Sequence, residues 1–311
     1  KLKMLVQINQ PVKKEPKRML KLQKLPGNRY LLEINFSSLA IIQECLRKAQ
    51  YRLLNNYVNE ADSDAQVFGS AIHKALEHWY MLPDANRLLT DTELKLADSL
   101  ISGLIPEGEY PTALDSLVEF VKAGEPLRWL GDDDKRSLAN GIKILKAYFK
   151  HYAEDGLEVL RDTNNEPYIE KQAEAVLYED NQKKIVLHGQ IDVVLRNKIT
   201  GEIPFSDHKT TAALGKQFYN RISPNHQYTG YVWLGQTVLG IDSNLFMVNG
   251  IQVAKTKCEF ARQFTTITED MIQEMKMAYV EAAERLIRAY ELNYFSQAAP
   301  NPCSGYDGCP Y

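Results

Sequence analysis

The sequence has no long apolar run, few cysteines and little net charge, and each shortage excludes a class of protein. No uninterrupted hydrophobic stretch approaches the roughly 18 residues of a membrane-spanning helix, so no transmembrane segment and no membrane partner are expected. Four cysteines at irregular spacing do not make the dense framework of a small secreted domain, and the N-terminus lacks the charged-then-apolar pattern of a signal peptide. A reducing, cytoplasmic setting is the expectation. The net charge of -3 neither demands nor forbids nucleic acid, because a protein that grips phosphate in one groove needs local rather than global positive charge. Internal repeats and low-complexity tracts are missing as well.

What is present is the composition of a folded domain: 311 residues, 44% of them hydrophobic and 25% charged, enough for one large core or a core with a sizeable insertion. Residues 1–30 hold nine Lys or Arg against the single acid Glu15. Residues 1–35 therefore read as a basic arm, either following a phosphate backbone or simply solvated. The chain opens on Lys1 and closes two residues after Cys309, and further natural sequence is expected at both ends.

Beyond the arm, Ser37 is placed to cap a helix over about 38–55, in which Leu39, Ile42, Leu46, Ala49 and Leu53 recur at helical spacing. A second helix reads from Phe68 to Tyr80. Residues 86–155 read as a helical insertion punctuated by Pro106, Gly108, Pro111 and Pro126, without strand-type alternation. From Ile169 the character changes. Ile169–Tyr178, Lys184–Leu195 and Glu202–Lys209 read as an antiparallel run of strands, followed by a helix from Ser223-Pro224 to Leu239 with Gly240 ending it. Two strands, near Asn244–Val253 and Cys258–Ile267, precede a long amphipathic helix capped by Thr268. The fold class that follows is α/β, a mixed central sheet flanked by helices and carrying a helical insertion.

The chemistry concentrates in the segment HGQIDVVLRNKITGEIPFSDHKTT, residues 188–211, which reads as a hairpin turning through Asn197–Gly201. A turn centred between Ile199 and Thr200 sets Asp192 directly across from Asp207, with Cβ atoms about 5 Å apart. Side chains alternate along a strand, so Lys209 shares a face with Asp207. Two carboxylates and an ammonium at one point suit a hard divalent cation, Mg2+ or Mn2+, whose remaining shell is water and substrate phosphate.

Gly189-Gln190-Ile191-Asp192 followed by Asp207-His208-Lys209-Thr210 resembles the G-x-x-D and D-x-K-T elements of PD-(D/E)XK nucleases, in their RecB-like branch. Two further elements stand in the order of that branch: Gly69 to His73 resembles its G-x-x-x-H motif, and Gln227 to Tyr231 its Q-x-x-x-Y motif. The resemblance covers residues 36–311, with 86–155 matching only as an insertion. It implies a restriction-endonuclease-like core and hydrolysis of DNA. It also implies a metal held by His73, Asp192, Asp207 and the main-chain carbonyl of His208, with Lys209 orienting or deprotonating the attacking water. Gln227 and Tyr231 would hold the nucleic-acid strand or brace Lys209. The family pattern further implies a glutamate on the strand before the hairpin; Glu170 and Glu174 both qualify, and Glu170 is preferred. Some members of this branch carry an iron-sulfur cluster, for which Cys45, Cys303 and Cys309 are the candidate ligands here, one fewer than a [4Fe-4S] cluster needs; thiolates suit zinc as well, and Cys258 reads as a buried apolar residue.

The motif set implies an end-dependent exonuclease in DNA repair, recombination, phage or CRISPR-linked processing, with DNA as partner and a helicase or recombination protein as a further one. The competing reading is a module that holds DNA or protein without cutting. Intact Asp192, Asp207 and Lys209 speak against it.

Overall fold

A computed structural model describes residues 2–4, 20–57, 63–102, 104–106, 111–127 and 134–298. The chain runs β1 (Leu2–Met4), β2 (Leu20–Leu25), β3 (Arg29–Asn35), α1 (Phe36–Glu44), α2 (Leu46–Ala49), α3 (Asp64–Met81), α4 (Asp91–Ile101), β4 (Leu104–Pro106), α5 (Ala113–Ala123) and α6 (Leu138–Tyr152). It continues with β5 (Leu157–Val159), β6 (Ile169–Glu179), β7 (Lys183–Asn197), β8 (Phe205–Thr211), α7 (Lys216–Tyr219), α8 (His226–Leu239), β9 (Leu245–Gln252), β10 (Phe260–Thr266) and α9 (Glu269–Glu291).

Eight strands form one mixed sheet in the order β10-β9-β8-β7-β3-β2, with β5 and β6 also pairing β7. The expected α/β class holds. The expected antiparallel run holds for β6, β7 and β8, but β3 lies parallel to β7 and β8 parallel to β9. The crossover from β8 to β9 is α8, as parallel pairing requires.

Two hydrophobic cores cover the sheet. One packs α1, α8 and α9 through Leu39, Ile42, Leu234, Met275 and Leu286 against Ile185, Leu187 and Val194. The other packs α3 and the insertion helices through Trp79, Phe120, Leu145 and Phe149 against Val193, Leu195 and Ile251. Ile185, Leu187 and Ile191 join the first core while Val193 and Leu195 join the second, so the side faced by odd-numbered residues of β7 changes at Asp192. Opposite that point, Glu170 has φ 48°, a left-handed conformation that costs a non-glycine residue on the order of 1 kcal/mol or more.

Residues 20–35, read from the sequence as the end of the basic arm, are two strands of the sheet. Leu20, Tyr30, Leu32 and Ile34 alternate inward while Lys21, Lys24 and Arg29 lie outward, and the density of lysine hid that alternation. Residues 5–19 of the arm lie outside the described residues. Inside the insertion, β4 pairs with β1 where no strand was expected.

Several caps differ from expectation. α1 is capped by Asn35 rather than Ser37: the Asn35 side chain accepts from Ser38 N at 2.8 Å, which starts the helix early enough for Phe36 to reach the sheet. The single expected helix breaks at Cys45 (φ -163°, ψ 120°), where the C-terminal segment crosses and Ser296 O accepts from Arg47 N at 3.2 Å. α3 begins at Asp64 under a Ser63–Gln66 capping box, and α8 is capped by Asn225, not Ser223, because Asn225 Oδ1 accepts from both Gln227 N and Tyr228 N. Gly240 in the left-handed region ends α8 and Thr268 caps α9, as expected.

Candidate active site

The site lies where the sheet opens along one edge of β7. On that edge β3 pairs only as far as Asn35↔His188, and β8 begins pairing only at Val193↔Ser206. Residues 189–192 lie between those two ladders on that edge, with Gly189 beside Phe36 at the start of α1. The hairpin register is the one that opposes Asp192 to Asp207. Its ladder stops just short of them, and instead Asp192 Oδ2 accepts from His208 N at 2.8 Å.

Helix α3 delivers His73, whose Nδ1 lies 3.2 Å from Asp192 Oδ2. The helix approaches β8 closely because residue 69 has no side chain: a Cβ there would sit 3.1 Å from Thr210 Oγ1. Ligand atoms of His73, Glu170 and Asp192 all lie within 4.8 Å of one another. Glu170 is held by Gln190 Nε2, whereas Glu174 is exposed and pairs with His188 Nδ1 at 3.2 Å. The preferred glutamate is therefore the one brought to the cluster.

Asp207 lies outside that 4.8 Å cluster, almost fully buried. Its Oδ2 is 2.6 Å from Lys209 Nζ, so the buried carboxylate has the ammonium as its counter-charge. Lys209 in turn sits over the Tyr228 ring, 6.0 Å from its centroid.

The electrostatics are those of acids crowded together. Burial acts against the His73 imidazolium, yet the Asp192 carboxylate overturns it and lifts His73 to about 9. Burial, followed by the charges of Asp192 and Glu77, pushes Glu170 up to about 7. Asp207 rises to about 6 through burial and the Asp192 charge, only partly offset by Lys209. Asp192 goes the other way: burial opposes it, but His73 and the His208 N–H hold it well below the carboxylate range. Burial lowers His208 to about 3, leaving that ring neutral.

These residues fit a divalent cation. One imidazole and two carboxylates converge, a further buried carboxylate stands beside them, and Glu170 and Asp207 hold raised pKa values that a cation would reverse.

Helix α8 closes the other side. Gln227 Nε2 donates to Tyr231 Oη at 2.9 Å, and Tyr231 packs edge-on against Phe36 at 4.9 Å. Two clefts meet at Gln227. One, of about 620 Å³, includes Asn35, Phe36, His188, Gln190 and Tyr231; the other, of about 630 Å³, includes Lys209, Lys216, Phe218, Arg221 and Tyr228.

Three contributors escaped the sequence reading. Gln190 sits inside the G-x-x-D element but at one of its unspecified positions, so nothing marked it. Tyr228 adjoins Gln227, and its one signal is an aromatic in a helix turn facing Lys209. Asn249 lies in a strand otherwise rich in apolar residues, and a lone buried amide there was the available clue. Among the other histidines, His78 approaches Asp115 Oδ2 at 3.5 Å and His226 packs on Tyr279, both away from the cluster.

Of the cysteines, Cys45 is buried at the break between α1 and α2, and Arg47 Nε donates to Phe295 O at 3.0 Å beside it. Cys303 and Cys309 lie outside the described residues. Cys258 packs against the insertion-side core rather than near Cys45's helix.

Residues 33–311 match the PD-(D/E)XK nuclease superfamily, and the chain belongs to it. No curated protein sequence matches the chain. Among solved structures it is similar to a protein from Eubacterium rectale named as a candidate exonuclease, with 14% identity over 86% of this chain and 85% of that one and a TM-score of 0.47. It is also similar to SSO0001, with 12% identity over 76% of this chain and 86% of that one and a TM-score of 0.32. The assignment rests on the family match. Among the described residues, no helix is long and apolar enough to cross a membrane.

Proposed function

We propose that this nuclease is a divalent-metal-dependent deoxyribonuclease that works from DNA ends. The observation that carries the reading is the convergence of His73, Glu170 and Asp192 beside the Asp207–Lys209 pair. His73, Glu170, Asp192 and Asp207, with the main-chain carbonyl of His208, would hold Mg2+ or Mn2+. When bound, the cation polarises the scissile phosphate and lowers the pKa of a water.

The chain's own residues do the rest. Lys209, kept in place by Asp207 and the Tyr228 ring, orients the attacking water or shares its proton, and screens the charge that grows on the phosphoryl oxygens in the transition state. Gln227, which lines both clefts and donates to Tyr231 in the first of them, guides the strand past Lys209 together with that ring. Lys216 and Arg221 offer phosphate contacts in the same cleft as Lys209. The end-dependent character is supported by the Gly69–His73 and Gln227–Tyr231 elements occurring together. A helicase or recombination protein as partner, and a repair, phage or CRISPR-linked setting, belong to the same reading. The free thiols of Cys45 and Cys258 suit a reducing compartment.

The test is incubation with end-labelled single- and double-stranded DNA, linear and circular, in Mg2+, Mn2+ or EDTA. Linear DNA is shortened only with metal; cutting of circles overturns end dependence, and cutting in EDTA overturns metal dependence. An iron-sulfur cluster on Cys45, Cys303 and Cys309 is supported by the passage of residues 295–296 beside the Cys45 break. A longer native form of the protein, purified without oxygen, is then brown and is bleached by Cys45→Ser. Absence of both iron and zinc on metal analysis ends that reading.

A further inference from the structure

Behind the site, on the insertion side of the sheet, lies a buried chain of polar groups that the proposed chemistry does not use. His208 is nearly buried between Asp207 and Lys209, with its side chain on the face opposite theirs. Its Nδ1 faces Asn249 Nδ2 at 2.8 Å, the residue beside it in the parallel β8–β9 register. The same Asn249 nitrogen donates to Tyr148 Oη at 2.5 Å. Tyr148 Oη is 3.0 Å from Tyr80 Oη, which accepts from Arg262 at 3.2 Å, and Arg262 is ion-paired with Asp155. The chain thus ties the strand that carries Asp207 and Lys209 to α6 of the insertion, α3 and β10.

Asn249 is the hinge of this arrangement. Its amide is wholly buried, and its Oδ1 has no hydrogen-bond partner. A buried polar atom left unsatisfied destabilises the fold, and an apolar residue of similar size would avoid that cost. What the amide supplies is a nitrogen with two hydrogens, one for each ring. With that nitrogen donating, His208 Nδ1 is an acceptor and the ring proton stays on Nε2. The ring is fixed further by stacking on Tyr80 at 5.4 Å with 11° between planes, and by an edge contact with His73 at 5.6 Å. Fixing this ring fixes its backbone, and that backbone N–H holds Asp192 Oδ2.

We propose that Asn249 is a positioning residue for the metal site, holding the His208 ring, and through it the His208 main chain and Asp192, against a hydrogen-bonded anchor supplied by Tyr148 of the helical insertion. The proposal rests on the metal-dependent reading given above. Partners outside the first ring of ligands alter metal affinity by about 10–100-fold when removed.

The experiment is calorimetric Mn2+ titration of the whole chain, beside metal-free Tm and the kcat and KM of cleavage. Asn249→Leu is expected to weaken Mn2+ binding by about tenfold or more. Cleavage at limiting Mn2+ falls with it, while KM for DNA is unchanged. Val253→Ala, a truncation in the same core and just beyond β9, serves as the control: it lowers Tm and leaves Mn2+ affinity alone. Unaltered Mn2+ affinity in Asn249→Leu overturns the proposal, and so does an equal loss in Val253→Ala. Where Asn249→Leu does not fold, Tyr148→Phe removes the anchor with one atom; several-fold weaker Mn2+ binding supports the proposal and none overturns it. Asp192→Asn separates the two levels. Mn2+ binding lost in Asp192→Asn but kept in Asn249→Leu sinks this inference alone, whereas Mn2+ binding indifferent to Asp192→Asn sinks the metal site itself.

Discussion

A Cβ on Gly189 would lie 2.6 Å from Leu234 Cδ1, and 2.8 Å from Phe36 Cε2. The glycine of the G-x-x-D element is therefore the space into which α8 and the start of α1 pack. Gly189→Ala is expected to lower stability by about 1–3 kcal/mol through overpacking, and to push Tyr231 away from the cleft. Thermal unfolding without metal measures the first effect. A Tm equal to the parent's would show that α8 yields freely.

Asp192→Asn and Asp207→Asn should each abolish metal-dependent cleavage, yet they should part company in stability. Asp192 has its pKa depressed in the fold, so its charge contributes stability above the ordinary carboxylate range that is lost only as pH falls to the depressed value. Asp207 is raised to about 6, so its charge opposes folding above that pH. At neutral pH, metal-free Tm is expected to drop in Asp192→Asn and to hold or rise in Asp207→Asn. Parent-rate cleavage by either variant removes that residue from the metal site.

For Lys209→Ala the expected result is a rate lower by orders of magnitude, with Mn2+ affinity and DNA affinity changed little, since the carboxylates remain and one phosphate contact is a small part of a groove. Arg should not rescue it: a guanidinium is planar, bulkier and does not deprotonate. Single-turnover cleavage beside a DNA titration decides this. A few-fold loss, or a loss matched by weakened binding, returns Lys209 to a solvated surface role.

Metal capture should release protons. In the metal-free protein His73 titrates near 9, Glu170 near 7 and Asp207 near 6, and each must lose its proton to serve as a ligand. Apparent Mn2+ affinity is therefore expected to climb as pH rises from 6 towards 9. Calorimetry in buffers of different ionisation enthalpy counts the protons. A binding constant flat across that window would mean that these groups are not the ligands.

Much of this was legible because the hairpin advertises itself. Asn197–Gly201 sets a turn, the turn sets a register, and the register opposes Asp192 to Asp207. Gly69 and His73 were legible through helical spacing, although the sequence could not say that Thr210 is what the glycine admits. The β2–β3 hairpin was not legible, since lysines fill its outward positions and swamp the inward Leu20, Tyr30, Leu32 and Ile34. The break at Cys45 was not legible either. Residues 295–296, far along the chain, cross there and bond to Arg47, and helical periodicity carries no trace of a distant crossing segment. Glu170's positive φ and the change of face at Asp192 are likewise tertiary facts, written in no local pattern.

The cluster draws Glu170 and Asp192 from neighbouring strands of one meander, but His73 from a helix on the far side of the entire insertion. Closing a short hairpin costs little loop entropy, whereas bringing His73 to the acids closes a loop that spans the whole insertion and costs more. The acids are thus held by local strand pairing, with Lys209 as the cation nearest in sequence to their repulsion. Any loosening of α3 would take the imidazole from the cluster while leaving the acids in place, and the site would then hold its cation loosely.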